Sequence, residues 1–83
     1  MTEVLIERFE TRINKTSKSS FLELLRGKGH FMRFCESTKS HIYAVTMLRE
    51  ELEGYIGKPL SFSGFHTVFV ALKNGEFSVV SVD

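Results

Sequence analysis

Apolar residues crowd both sides of an Asn74-Gly75 pair near the end of the chain. Both residues tolerate the positive φ angles of a type I′ turn, and such a pair between apolar runs is the strongest short-range signal of a β-hairpin. The pattern therefore predicts a C-terminal hairpin with a definite register. The expected pairs are Lys73 with Glu76, Leu72 with Phe77, Val70 with Val79, and Phe69 with Val80.

This register divides the hairpin into two apolar faces. One face is expected to hold Phe69, Ala71, Val80 and Val82. The other is expected to hold Val68, Val70, Leu72, Phe77 and Val79. A sheet that is wet on one side normally carries polar residues there. Either elements of this chain cover both faces or a partner covers one, and the second set is the candidate protein interface.

A first hairpin is predicted over residues 30–45. Strand-forming residues at 30–36 and 41–45 flank the polar turn 37–40. A four-residue loop would pair Glu36 with His41, Phe34 with Tyr43 and Met32 with Val45 on one face. The opposite face, expected to be half exposed, would carry Phe31, Arg33, Cys35, Ile42 and Ala44.

Three helices are predicted from apolar spacing and capping residues. Residues 3–14 repeat apolar positions at i, i+4 and i+8, which favours a helix over the rival strand, in which Phe9, Thr11 and Ile13 would share a face. Residues 20–26 begin with a capping-box spacing and are followed by Gly27 as a left-handed cap. Residues 46–56 carry an apolar stripe and end before Gly57 and Pro59.

The predicted fold is therefore α+β, with two N-terminal helices, a β-hairpin, a helix and a C-terminal β-hairpin. The two hairpins are expected to join in one antiparallel sheet packed by helices, within a single domain over residues 1–83. Strand order is not readable from these patterns. A hydrophobic content of 42% with eight Phe residues argues for a folded chain rather than a disordered one.

The single cysteine, Cys35, excludes a disulfide within one chain. With no signal-like segment at the N-terminus, it favours a reducing, cytoplasmic location. The longest apolar run, Val68 to Leu72, is far shorter than the roughly 20 residues that span a bilayer, so no membrane partner is expected.

Charge is distributed unevenly along the chain. Residues 1–49 carry nine Lys and Arg against five acids, whereas residues 50–83 carry two Lys against five acids. Such asymmetry can mark a surface for an anionic partner. The candidate contacts to an anion or a nucleic acid are Arg12, Lys15, Lys18, Arg26, Lys28, Arg33 and Lys39.

No pattern in the chain matches a catalytic, metal or cofactor site. Cys35 and the three histidines lack the paired spacing of zinc ligands. The glycines of Arg26-Gly27-Lys28-Gly29-His30 follow a predicted helix, whereas a phosphate cradle precedes one. We therefore expect a non-enzymatic regulatory or binding module that acts through protein contacts, as a homodimer or by docking on a larger target. The alternative is a nucleic-acid-binding module that uses the basic segment 12–39.

Overall fold

A computed structural model of the chain describes residues 7–83, with side chains from Thr11 onward. In chain order its elements are β1 (Glu7–Arg12), a 3-10 turn (Lys15–Ser17), α1 (Lys18–Lys28), β2 (His30–Cys35), β3 (Ser40–Leu48), α2 (Arg49–Ile56), β4 (Phe65–Lys73) and β5 (Glu76–Val82). The α+β class predicted from the sequence is confirmed.

The five strands form one antiparallel sheet in the order β1-β5-β4-β3-β2. The two hairpins join through a long β3–β4 pairing that runs from His41↔Leu72 to Leu48↔Phe65. Because β1 and β2 lie at opposite edges, the segment containing α1 must carry the chain across the sheet. Both helices pack on the same face of the sheet, where their apolar residues enter one core with β3, β4 and β5.

Many of the apolar residues lie in this core between the helices and the sheet. Phe21 of α1 is fully buried and meets Tyr55 of α2 and Phe77 of β5, with ring centroids 5.1 and 5.3 Å apart. The remaining buried members are Ile13, Leu25, Val45, Met47, Leu52, Ile56, Val68, Val70, Val79 and Val82. Within residues 7–83 the sheet thus has a covered face beneath the helices and an open face on its other side.

The helix predicted over residues 3–14 is wrong in its described part. Glu7–Arg12 is a strand that pairs antiparallel with β5, and Ile13 N–H donates to the Phe77 carbonyl at 2.9 Å. The free edge of β5 supplies partners for these backbone groups, and such long-range pairing overrides local helix periodicity. The residues before Glu7 lie outside the described residues.

The first hairpin forms with a different register. Its four-residue loop is Glu36–Lys39 rather than 37–40, so Cys35 opposes Ser40 and Phe34 opposes His41. Lys39 takes a φ of 57° that closes this turn. The register also shifts between Phe31 and Arg33, where a bulge accommodates Met32. Consequently Phe31 opposes Tyr43 and lies on the helix side, not on the open face.

The C-terminal hairpin is confirmed, with one correction. Asn74 and Gly75 have φ of 53° and 76°, and Lys73, Leu72 and Val70 have their predicted partners. The register then shifts between Phe69 and Val70, because Val80 of β5 bulges out of the pairing, so Phe69 pairs with Ser81 and Val68 with Val82. Val82 therefore belongs to the buried face and not to the face of Phe69.

The two remaining helices form, with shifted boundaries. α2 begins at Arg49 and not at Thr46, because β3 continues to Leu48 and pairs with β4. The Glu51 carboxylate accepts the Leu48 backbone N–H at 3.2 Å at this helix start. α1 extends from Lys18 to Lys28, so Gly27 lies inside the helix and is not a left-handed cap. Gly57 ends α2 with a φ of 72°, as its position in the sequence predicts.

Candidate functional site

The open face of the sheet forms a groove of about 820 Å³. Its floor is apolar and consists of Ile42 from β3, Phe69 and Ala71 from β4, and Val80 from β5, all half-buried. The lining consists only of residues from strands and turns, so no described helix covers this face. An apolar sheet face normally packs against another layer. The groove is therefore the first candidate for a binding surface.

Positive charge lies at both rims of the groove. Arg12 stands on β1 and Arg33 on β2, which are four strand spacings apart, or about 19 Å. Lys73 lies at the turn end, and the only acid in the lining among residues with described side chains is Glu76, whose carboxylate is 3.3 Å from the Arg12 guanidinium. The Lys, Arg and Glu side chains of the lining from Thr11 onward thus sum to +2. An ionised Cys35 thiol would lower that sum to +1.

Cys35 lies in the groove, where the first hairpin turns. Its Sγ atom is 3.3 Å from Ser37 Oγ. Hydrogen bonds from the Ser37 hydroxyl and then from the Thr38 hydroxyl and backbone N–H, helped by the nearby charge of Arg33, lower the pKa of the thiol to about 6. The thiol therefore ionises well below the ordinary cysteine range.

The outer strand β2 is the second exposed feature. Phe31 and Met32 keep 56% and 53% of their surface exposed, and Phe34 is exposed as well. Phe31 and Phe34 lie on the helix side, where their rings meet those of His41 and Tyr43 at centroid distances of 4.9 to 6.0 Å. Met32 and Arg33 lie on the groove side. Large apolar groups thus stand exposed along this edge of the sheet.

The structure divides the seven predicted basic residues among three places. Arg12 and Arg33 line the groove. Lys39 lies at the hairpin tip, 3.1 Å from Glu36. The other four, Lys15, Lys18, Arg26 and Lys28, lie on the 3-10 turn and α1.

Several of these cations already have neighbours. Arg26 contacts Glu23 at 3.5 Å, and Lys18 reaches toward the Asn74-Gly75 turn. Lys28 lines a smaller hollow beside His30 and Thr46 on the open face. The seven basic residues are thus divided among the groove lining, the hairpin tip and the segment of the 3-10 turn and α1.

The residues of the predicted protein interface lie on the covered face of the sheet. Val68, Val70 and Val79 are fully buried, Phe77 is almost so, and Leu72 packs against the same core. The chain's own helices cover this face, so these residues are not available to a partner in the folded monomer. The uncovered apolar face is the opposite one, which carries Phe69, Ala71 and Val80.

The histidines lie apart from one another. His41 belongs to the aromatic contacts of β2 and β3, whereas His66 Nε2 is 2.6 Å from the Ser63 carbonyl oxygen. Among the described residues, no group of three or more His, Cys, Asp and Glu could hold a metal ion. Within that same range, the helices are too short or too polar to cross a membrane.

The sequence pattern predicts the residues of the groove but not the groove itself. It places Ile42, Arg33 and Cys35 on one face of the first hairpin, and Phe69, Ala71 and Val80 on one face of the second. The β3–β4 pairing makes these two faces continuous, with Ile42 opposite Ala71 and Ala44 opposite Phe69. Comparison of the chain with models of known protein families, with curated proteins and with solved structures found no match.

Proposed function

We propose that the protein is a non-enzymatic binding module whose open sheet face holds an amphipathic, acidic helix of a partner protein. The observation that carries the proposal is an apolar groove floor with cations at both rims and no covering element among the described residues. A ligand of this kind would place apolar side chains on the floor and carboxylates near Arg12, Arg33 and Lys73.

The shape of the groove favours a helix over the other occupants. A small molecule is normally buried over most of its surface, whereas this groove is open along the sheet. An added strand would pair with a sheet edge rather than lie on a face. A helix is about 10–12 Å wide with its side chains and fits between rims about 19 Å apart. On the other face, α1 and α2 already make this kind of helix-on-sheet contact.

The test uses a designed helical peptide with a Leu stripe and Glu flanks, titrated into the isotope-labelled protein while backbone amide shifts are followed. We expect saturable shifts at Ile42, Ala71 and Val80. The same peptide with Lys in place of Glu should bind at least several-fold more weakly, because its charges meet the rim cations.

A matched pair of variants separates the groove from net charge. Arg33→Glu should weaken binding of the acidic peptide, whereas Lys15→Glu, the same charge change outside the groove lining, should not. Equal losses in both variants, or shifts confined to another surface, would contradict the proposal. Shifts on the open face with a single-stranded oligonucleotide that vanish with added salt would favour the nucleic-acid alternative instead.

A further inference from the structure

The outer edge of β2 has no strand partner among residues 7–83, because β2 ends the sheet. An unpaired edge presents a row of backbone N–H and C=O groups to any extended chain. Proteins usually protect such edges with charges, and the other outer strand, β1, reads Glu-Arg-Phe-Glu-Thr-Arg. β2 reads His-Phe-Met-Arg-Phe-Cys, with one Arg among exposed apolar residues. The two edges therefore differ in how well their sequences discourage pairing.

Because of the bulge in β2, the order in which its side chains point to the two faces of the sheet is the same from either end of the strand. Phe31 and Phe34 lie on the helix side, opposite Tyr43 and His41. The other four residues, His30, Met32, Arg33 and Cys35, lie on the groove side. From either end the order is groove, helix, groove, groove, helix, groove. Without the bulge, strict alternation would not give this symmetry.

Opposed residues in an antiparallel pair share a face. A two-fold axis between Met32 and Arg33 satisfies this condition at every position, because it sets Phe31 against Phe34, His30 against Cys35 and Met32 against Arg33 of a second copy. A shift of one residue in either direction sets Phe31 or Phe34 against a residue of the opposite face. Axes through Phe31 or through Phe34 also match the faces, but they pair only three residues of each strand. The face order and the full six-residue overlap therefore together select one register.

We propose that β2 pairs antiparallel with β2 of a second copy, with Phe31 opposite Phe34, to form a symmetric dimer with a ten-stranded sheet. This interface lies at the sheet edge and is distinct from the groove floor. The surface is the same on both copies, as a two-fold interface requires. Two Phe31–Phe34 pairs would be buried together, and aromatic pairs contribute beyond the area they bury.

The dimer is expected to be weak and dependent on concentration. Two six-residue strands make an interface at the small end of the specific range. The bulge adds local twist to the strand, which opposes a long flat pairing. The two Arg33 side chains would also lie near each other at the axis, where like charges repel.

The proposed register makes a charge-specific prediction at Met32, which is exposed in the monomer. Met32→Glu would put a carboxylate opposite Arg33 of the second copy and should keep or tighten the dimer. Met32→Lys would put a second cation there and should weaken the dimer at least tenfold. Sedimentation velocity over a hundredfold range of protein concentration measures both. Circular dichroism checks that both variants fold.

A second measurement tests the register without relying on affinity. His30→Cys would bring a thiol opposite Cys35 of the second copy, so mild oxidation with diamide should give a covalent dimer on a non-reducing gel. Thr46→Cys, an exposed site on β3, is the control for random collision. The unmodified chain should not cross-link quickly, because its two Cys35 residues would lie about 16 Å apart along the paired strands.

Three outcomes would overturn the proposal. The first is a monomer at every concentration. The second is equal dissociation of the Met32→Glu and Met32→Lys variants. The third is rapid Cys35–Cys35 cross-linking of the unmodified chain, which would mean a different register. None of these outcomes depends on binding of the acidic peptide, so the proposal for the groove and the proposal for the β2 edge can be contradicted independently.

Discussion

The two faces of the sheet carry similar apolar residues but differ in how deeply those residues are buried. On the covered face, Val68, Val70 and Val79 are fully buried beneath α1 and α2. On the open face, Phe69, Ala71 and Val80 remain half-buried, with cations at the rims of the groove. The strands contribute apolar residues to both faces, but the helices cover only one. Hydrophobic residues in the sequence therefore indicate a sheet with two apolar sides, whereas the connections decide which side becomes the core.

The largest expected effect comes from the center of the covered face. Phe21→Ala should destabilise the protein by about 3–5 kcal/mol, because a fully buried ring that joins both helices to the sheet is replaced by a cavity. Native proteins have about 5–15 kcal/mol of total stability, so this loss would remove a large fraction of it. Urea denaturation measures the loss. A change below about 1 kcal/mol would show that α1 does not pack as described.

Two adjacent valines in β5 allow a direct comparison of the faces. Val79 is fully buried on the covered face, whereas Val80 lines the groove. Val79→Ala should cost about 2 kcal/mol and Val80→Ala less than about 1 kcal/mol, since less surface is buried and no closed cavity forms. Thermal melts should show the difference as several degrees in Tm. Equal losses would mean that the open face is covered in solution, by a partner or a second copy.

Two glycines, Gly54 inside α2 and Gly57 at its C-terminal end, test the conformation of a helix that covers one face of the sheet. Gly57 has a φ of 72°, and a Cβ there would come within 3.0 Å of Asn14 Nδ2. Gly57→Ala should therefore cost about 1–2 kcal/mol. Gly54 lies inside the helix with open space around it, so Gly54→Ala should stabilise by up to about 1 kcal/mol. Opposite signs in urea denaturation are the expected result, and a stabilising Gly57→Ala would contradict the left-handed end of α2.

Most of the fold could be predicted from local patterns, and the failures have physical causes. Asn74-Gly75 specifies its hairpin because the turn depends on those two residues alone. The sequence predicts a helix where β1 forms, because Ile13 fits both a helical and an alternating pattern. Only the strand order shows that the edge of β5 is free to pair with this segment. Neither bulge, at Met32 of β2 or at Val80 of β5, has a sequence signal, yet each one moves a large side chain to the other face.

The candidate site was harder to predict than the elements. Its members come from both hairpins, and the predicted faces were right for Ile42, Arg33, Phe69 and Val80. What joins them is the β3–β4 pairing between residues far apart in the chain, which no local pattern specifies. The charge asymmetry of the sequence likewise did not show that Arg12 and Arg33 would stand at opposite rims of one groove.

The last prediction concerns ionisation on the open face. The pKa of Cys35 is lowered to about 6 by hydrogen bonds from Ser37 and Thr38, so its alkylation by iodoacetamide should reach half of its maximal rate near that pH. In the urea-unfolded chain the midpoint should move up toward the ordinary value of 9.0. Ser37→Ala removes the largest cause and should raise the midpoint in the folded protein, whereas Cys35→Ser abolishes labelling.

The lowered pKa of Cys35 also makes the stability of the protein depend on pH. Because the folded state favours the thiolate, the contribution to stability is fully present above pH 9, declines as the pH falls through the interval between the two values, and is lost below about 6. The thiol lies at the surface of the groove, so the effect on stability should be the smallest of those predicted here. A midpoint near 9 in the folded protein would show that the Cys35 turn does not hold its thiolate. The described Lys, Arg, Glu and Cys side chains of the groove lining would then sum to +2 rather than +1 at neutral pH.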